Sequence, residues 1–379
     1  VVATRAVAQG AGMTGLYIHI PYCRTICPYC DFVKRPTKGN VPEPFIDALC
    51  GEMARYDGDT DVESVFFGGG TPSLVAPASL ERIFDMIRRK FALTAGAEIT
   101  LEANPDDLSL DLIAAWRDLG VNRISLGVQS FDEEALRYLG RRHDAEGARR
   151  ACAMVAEHFD SWNLDLMFGA HPVSAYPATL AECRAIAPPH VSSYGLTYEA
   201  GTPFGKRTDE AIDDDTYLDL YTQTVEGLTP LARYEVSNFA RPGFECRHNL
   251  RYWHNDTYAG FGPGAYSFLD GVRARNHVKL EAYLANPGAK SEALSLSDHE
   301  IRLETVIQYL RLAEGLPKQA YTDRFGRDVH DDFGEALTQL AARGLIADTG
   351  KALQPTERGF ELNNEIGLAL VDCAPASRE

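Results

Sequence analysis

The chain has 379 residues, 45% hydrophobic and 24% charged, the profile of a soluble globular protein with room for one large domain and a smaller one, or for two ordinary ones. Its formal net charge of −17 argues against duplex nucleic acid as a partner, because phosphate binding draws on a local excess of Lys and Arg. No run of about 18 apolar residues offers a membrane span.

Residues 1–15 read as a loose extension. Val1 to Gly12 lack the apolar core of a secretory signal, Met13 is a candidate start, and the expected address is the cytoplasm. Short β-rich runs then alternate with amphipathic stretches. The expected strands are 16–20, 64–67, 98–102, 123–129, 163–168 and 191–198. The expected helices are 43–56, 79–91, 110–119, 144–159 and 179–187. Ser79 and Ser109 are expected N-caps, and Gly120 an expected helix stop. Six strand–helix repeats imply parallel strands with right-handed crossovers, in an open doubly wound sheet or a full or partial barrel. A further helix at 214–228 leads into an irregular, aromatic and Gly-rich stretch, 234–268. Helices at 298–312 and 333–343, a hairpin over 345–354 and a last helix from Glu357 form a small α+β appendage of winged-helix-like order. The expected division is 1–15, a core at 16–240, a connecting segment at 241–290 and a small domain at 291–379.

Eight cysteines in a chain of this length and expected address are not a disulfide framework. Cys50, Cys152, Cys183, Cys246 and Cys373 are scattered and read as small buried hydrophobes. Cys23, Cys27 and Cys30, spaced C-x3-C-x2-C after the first strand, are different. Three clustered thiolates supply three corners of an iron–sulfur cube and leave one iron open, as a catalytic or substrate-binding cluster requires. A zinc site is the alternative, and it wants a fourth ligand; His19 is near in sequence but on the strand side. The glycines of Gly68-Gly-Gly-Thr-Pro72 let backbone approach a ligand closely. Glu102, Gln129 and Asp165 stand at or near successive strand ends, where parallel barrels build their sites.

These segments resemble the radical S-adenosylmethionine (SAM) proteins related to oxygen-independent coproporphyrinogen III oxidase. The resemblance runs from Leu16 to about Gly367. It is carried by Tyr17-Ile-His-Ile-Pro-Tyr-Cys23, the cysteine triad, the Gly68–Pro72 loop, Leu101-Glu-Ala-Asn-Pro105, Arg123-Ile-Ser-Leu-Gly-Val-Gln-Ser130, Leu139-Gly-Arg-Arg-His143 and Tyr234-Glu-Val-Ser-Asn-Phe239. It implies an α/β fold, a partial (β/α)6 radical SAM barrel. It also implies a [4Fe–4S] cluster on Cys23, Cys27 and Cys30, with SAM on the open iron. Gly69, Gly70 and Thr71 would hold the amino acid end of SAM. Glu102, Gln129, Arg141 and Asp165 would line SAM sites, with Tyr17 and Tyr29 packed nearby. An electron donor such as a flavodoxin or ferredoxin is implied as a partner.

Within this group the coproporphyrinogen oxidases carry a further cysteine two residues beyond the triad and a long preceding segment. Here Phe32 holds that position and 22 residues precede Cys23. The other subfamily, the HemW haem chaperones, has the phenylalanine and an H-N-x-x-Y-W motif, which His248-Asn-Leu-Arg-Tyr-Trp253 matches. That resemblance implies haem as a ligand and a haem-acceptor protein as a partner. His248 would be the iron ligand, Asn249, Tyr252 and Trp253 would lie at the macrocycle, and Arg233, Arg241, Arg247 and Arg251 would meet its propionates. Cys246 and His254 are the next candidate ligands. Two departures stand out: Gly169-Ala-His-Pro-Val-Ser174 replaces the relatives' glycine-rich turn, and Tyr266 stands where relatives more often have histidine. The alternatives are oxidative decarboxylation of a porphyrinogen and haem degradation by a radical SAM methyltransferase.

Overall fold

The computed structural model describes residues 13–56 and 61–372; the expected N-terminal extension up to Gly12, and Cys373, lie outside the described residues. Six parallel strands run in sequence order: β1 (Met13–Ile20), β2 (Asp61–Gly69), β3 (Ala92–Ala103), β4 (Arg123–Gln129), β5 (Ser161–Phe168) and β6 (His190–Gly195). Helices α1 (Glu43–Ala54), α2 (Pro77–Lys90), α3 (Leu110–Leu119), α4 (Ala145–His158) and α5 (Tyr176–Ile186) fill the crossovers. Beyond β6 the sheet continues through antiparallel Asn238–Ala240. Beyond β1 it continues through parallel Tyr258–Phe261 and antiparallel Tyr266–Leu269, Val272–Asn276 and Lys290–Ser295. The two ends do not pair, so the barrel is partial and open.

The strands' two-residue period decides what faces the lumen. Leu16, Ile18 and Ile20, with Val65 and Phe67, Ile99 and Leu101, Ile124, Leu126 and Val128, are buried in the main core with helix residues such as Ile83, Phe84, Ile113 and Trp116. The alternating positions, among them Phe66, Glu102, Arg123, Ser125, Gly127, Asn163, Asp165 and Ser192, line an interior cavity. The barrel is thus greasy outside its sheet and polar within.

Local signals hold in part. Ser109 caps α3 by accepting from Leu112 N–H, and Gly120 ends it at φ +104°. Ser79 is not a cap: α2 starts two residues earlier, with Ala76 in the cap position and Pro77 leading the first turn, where its missing N–H costs nothing. The Ser79 hydroxyl instead donates to Glu43 of α1 at 2.5 Å.

The small domain runs helix (Asp298–Tyr309), strand (Leu316–Pro317), two helices (Lys318–Phe325 and Val329–Ala342), then strands Ile346–Asp348 and Ala352–Pro355, the order of a winged helix. Its first helix begins with a capping box between Ser297 and Glu300. It has its own core around Val306, Phe333, Leu337 and Leu353. Lys290–Ser295 still belongs to the large sheet. No helix among the described residues is long and apolar enough to cross a membrane.

Candidate functional site

A cavity of ≈ 520 Å³ opens at the carboxyl ends of the strands, where a parallel sheet leaves its loops free to build a site. One wall is the loop after β1. Cys23, Cys27 and Cys30 all line the cavity as partly exposed free thiols. The loop is pinned along its length. Thr37 N–H donates to the Cys23 carbonyl at 2.8 Å and Cys30 N–H to that of Cys27 at 3.2 Å. Phe204 N–H donates to the Pro28 carbonyl at 3.1 Å. His19 Nε2 lies 2.8 Å from the Val33 carbonyl, so this ring supports the loop rather than joining the thiols. Burial pushes the Cys23 thiol up to about 11 and raises that of Cys30. Loading a metal centre would therefore release protons, as thiolate ligation does in general. Among the described residues no three His, Cys, Asp or Glu side chains converge on one ion. Three cysteines that bind three different irons of a cube need no such convergence, and the donor set fits that group.

The second wall is the loop after β2. Gly69 has φ +108°, and a Cβ there would lie 2.4 Å from the His19 ring; one on Gly70 would lie 2.8 Å from the Ile20 carbonyl oxygen. Both glycines are required by close approach to the cysteine loop and its strand. Gly69 N–H donates to Glu102 at 3.1 Å, and Thr71 is buried against the cavity.

The remaining predicted residues converge here too. Glu102, Gln129, Arg141, Asp165 and Tyr29 all line the cavity. Gln129 takes a left-handed φ of 71°, rare for a residue with a side chain and common at functional sites. Arg141 reaches the Gly127 carbonyl at 2.7 Å, Asn104, and Cys27 Sγ at 3.4 Å, tying the thiol loop to β3 and β4. Burial, then the neighbouring Asp165, pushes Glu102 up to about 8; burial also raises Asp165. Two buried carboxyls in a cavity favour a cationic occupant, and a sulfonium with an ammonium group meets that demand. Tyr17 does not line the cavity. Its hydroxyl is 3.0 Å from His19 Nδ1, and its ring stacks on Phe66 and His248 behind the wall.

The helix Arg247–Trp253, here α6, closes the floor of the barrel. Glu98 from β3 fastens its first turn, accepting from Arg247 N–H and His248 N–H at 3.1 Å each and from Cys246 Sγ at 3.6 Å. His248 is 1% exposed, and both its ring nitrogens are engaged, Nδ1 2.9 Å from Ser64 Oγ and Nε2 2.8 Å from Tyr252 Oη. Burial, then the charges of Arg251 and Arg123, lower it to about 3, so the ring is neutral. Trp253 lies under Arg311 of the small domain, 4.5 Å from its ring centroid. Of the four motif residues only Asn249 lines the cavity. The four expected propionate partners do not converge. Arg233 pairs with Glu357, and Arg251 with Glu63; Arg241 donates to the Ala187 carbonyl, and Arg247 to that of Gly96.

The model of the radical SAM superfamily matches residues 17–174, and that of the HemN C-terminal domain residues 296–362. The haem chaperone HemW of Escherichia coli is 35% identical over 372 residues, covering 94% of this chain and 98% of that protein. The HemW of Bacillus subtilis is 32% identical, covering 93% and 98%. The chain belongs to the HemW family of radical SAM proteins. In fold it is similar to the radical SAM coproporphyrinogen III oxidase (HemN) of E. coli, with a TM-score of 0.83 and 25% identity over 95% of this chain and 90% of that one.

For a HemW-family chain the two departures have structural consequences. His171 turns away from the cavity, its Nε2 2.7 Å from the Glu210 carbonyl. Tyr266 is partly exposed, with Arg275 stacked on its ring at 4.8 Å. Sequence reasoning missed Arg123, Ser125, Asn163, Ser192 and Tyr194, which also line the cavity. The signal that exposes them is the two-residue period of β4, β5 and β6 counted inward from Gln129 and Asp165.

Proposed function

We propose that this chain is a cytoplasmic haem chaperone that holds a [4Fe–4S] cluster on Cys23, Cys27 and Cys30, binds SAM in the adjoining cavity, and passes haem to an acceptor protein. The observation that carries the reading is the convergence of three free thiols, the Gly69–Thr71 loop and the buried pair Glu102 and Asp165 on one cavity. With both groups bound, the centre would supply one-electron reduction of SAM. The chain's own residues keep the thiol loop in place through His19 and Arg141, and set two carboxyls where a cation is to sit. HemW relatives carry the name of haem chaperones, and Phe32, in place of a further cysteine, keeps the reading on that side of the family. Haem coordination by His248 requires one ring nitrogen to leave its present partner, Ser64 at Nδ1 or Tyr252 at Nε2.

The test is an anaerobic haem titration of the cluster-reconstituted protein beside His248→Ala, followed at the Soret band. Saturation near one haem per chain, weakened in the variant, is expected. Absence of specific haem binding, with carbon dioxide released from coproporphyrinogen in the presence of SAM and reductant, would overturn it in favour of the decarboxylating enzyme.

A further inference from the structure

The four arginines near the His248 motif are engaged; a buried arginine without a hydrogen bond among the described residues, Arg123, lies inside the barrel. Arg123 opens β4 and faces inward with Ser125 and Gly127. It is 2% exposed, and its Nε has no partner. Among the described residues its guanidinium forms no ion pair, and the groups that act on it (Cys246, Glu98, Tyr234 and Asp165) do so across space. The two nearby carboxylates are committed elsewhere. Glu98 accepts from the first turn of α6, and Asp165 accepts from Asn163 Nδ2 at 2.6 Å and Ser125 Oγ at 3.5 Å. A buried guanidinium with unused donors is costly and rare in a finished fold, unless a ligand completes it.

The cavity reaches this group, and across the floor Asn249 lines it as well. Planar guanidinium and amide donors match the two oxygens of a carboxylate. We propose that Arg123 and Asn249 form a subsite at the cavity floor for a carboxylate of the molecule taken into the barrel. That the carboxylate is a tetrapyrrole propionate rests on the proposed function; a small free carboxylic acid is the other source. Glu102 and Asp165 stand on the same cavity and oppose an anion; burial, then Asp165, pushes Glu102 up to about 8, so without a bound cation it is largely protonated at neutrality, and the Asp165 carboxylate is taken up by Asn163 and Ser125. The subsite also gives Asn249 a task that the other motif residues, turned from the cavity, do not share.

The experiment titrates the cluster-reconstituted full chain with haem and with haem dimethyl ester, whose propionates are masked. Propionate is added alone and as a competitor, and binding is read from the Soret band and the thermal midpoint. The parent should prefer the free acid by about 10-fold or more, and propionate should compete. Arg123→Gln and Asn249→Leu should each lose most of that preference. If Arg123→Gln does not fold, Asn249→Leu, on the half-buried face of a helix, carries the test. Equal affinity of the parent for acid and diester, with no effect of propionate, would overturn the subsite while leaving haem binding intact. So would a preference that both variants keep. Propionate raising the midpoint of the parent but not of Asn249→Leu, with no haem binding at all, would support the subsite for a small acid and remove the chaperone reading.

Discussion

At the rim of the barrel, residues 23–30 hold three thiols partly open to the cavity and hydrogen-bond through their backbone to fixed neighbours. At the floor, residues 247–253 spend their polar groups inside the protein: Glu98 on the first turn, Ser64 and Tyr252 on both nitrogens of His248. Both stretches carry a dense motif. The rim leaves its three thiols free and facing the cavity, whereas the floor satisfies its own polar groups, as buried polar groups must when no ligand does so. The rim is built to receive, and the helix is built to close. Arg123 and Asn249, reached from the cavity, are where the floor departs from that rule.

The comparison breaks most sharply at Cys27. Cys27→Ser should abolish the broad visible absorption of the reconstituted protein and most of its iron and sulfide. The apo-protein's urea midpoint should shift by less than the equivalent of about 0.5 kcal/mol, since the side chain is half-exposed and outside the core. Unchanged iron and sulfide would remove the cluster from these cysteines. Glu98→Ala should do the reverse. It strips the first turn of α6 of the acceptor for two backbone N–H groups, a loss of about 2–4 kcal/mol of stability. Iron content per folded chain should be preserved, and a drop in iron equal to that of Cys27→Ser would show that rim and floor are not independent.

How far the sequence disclosed this arrangement depended on range. The six strands, Ser109 as a cap and Gly120 as a stop are local signals, and they survive because period and capping are set within a few residues. The thiol loop was legible for the same reason, its three cysteines lying within eight residues. Ser79 misled because Pro77, two residues before it, starts the helix more strongly. The floor was opaque. Ser64 and His248 meet across 184 positions, and Glu98 meets the first turn of α6 across about 150. Arginines one helical turn apart, such as Arg247 and Arg251, part to different partners, while Arg123 shares the cavity with Asn249 only through the fold.

The smallest expected effect is also the most specific to the closed floor. His248 is neutral down to about pH 3 in the folded chain, whereas the unfolded ring takes up a proton near 6.5. Its folded value is lowered, so the stabilisation it brings is complete above 6.5 and drains away as pH falls toward 3. Each such ring adds up to about 1.4 kcal/mol per pH unit to the acid slope of stability. His19 and His143, each lowered to about 4 chiefly by burial, add to the same slope and remain in any single variant. Glu102, raised to about 8, works the other way, favouring the fold as pH falls from 8 toward 4.5. In His248→Gln only one of these contributions disappears. Between about pH 6.5 and pH 5.5 the parent should therefore lose about 1 kcal/mol more than the variant in urea titrations. Equal losses would mean that the ring already titrates in the native state, so that Ser64 and Tyr252 release it easily. A floor that opens so readily would offer His248 to an iron without the cost that its present hydrogen bonds impose.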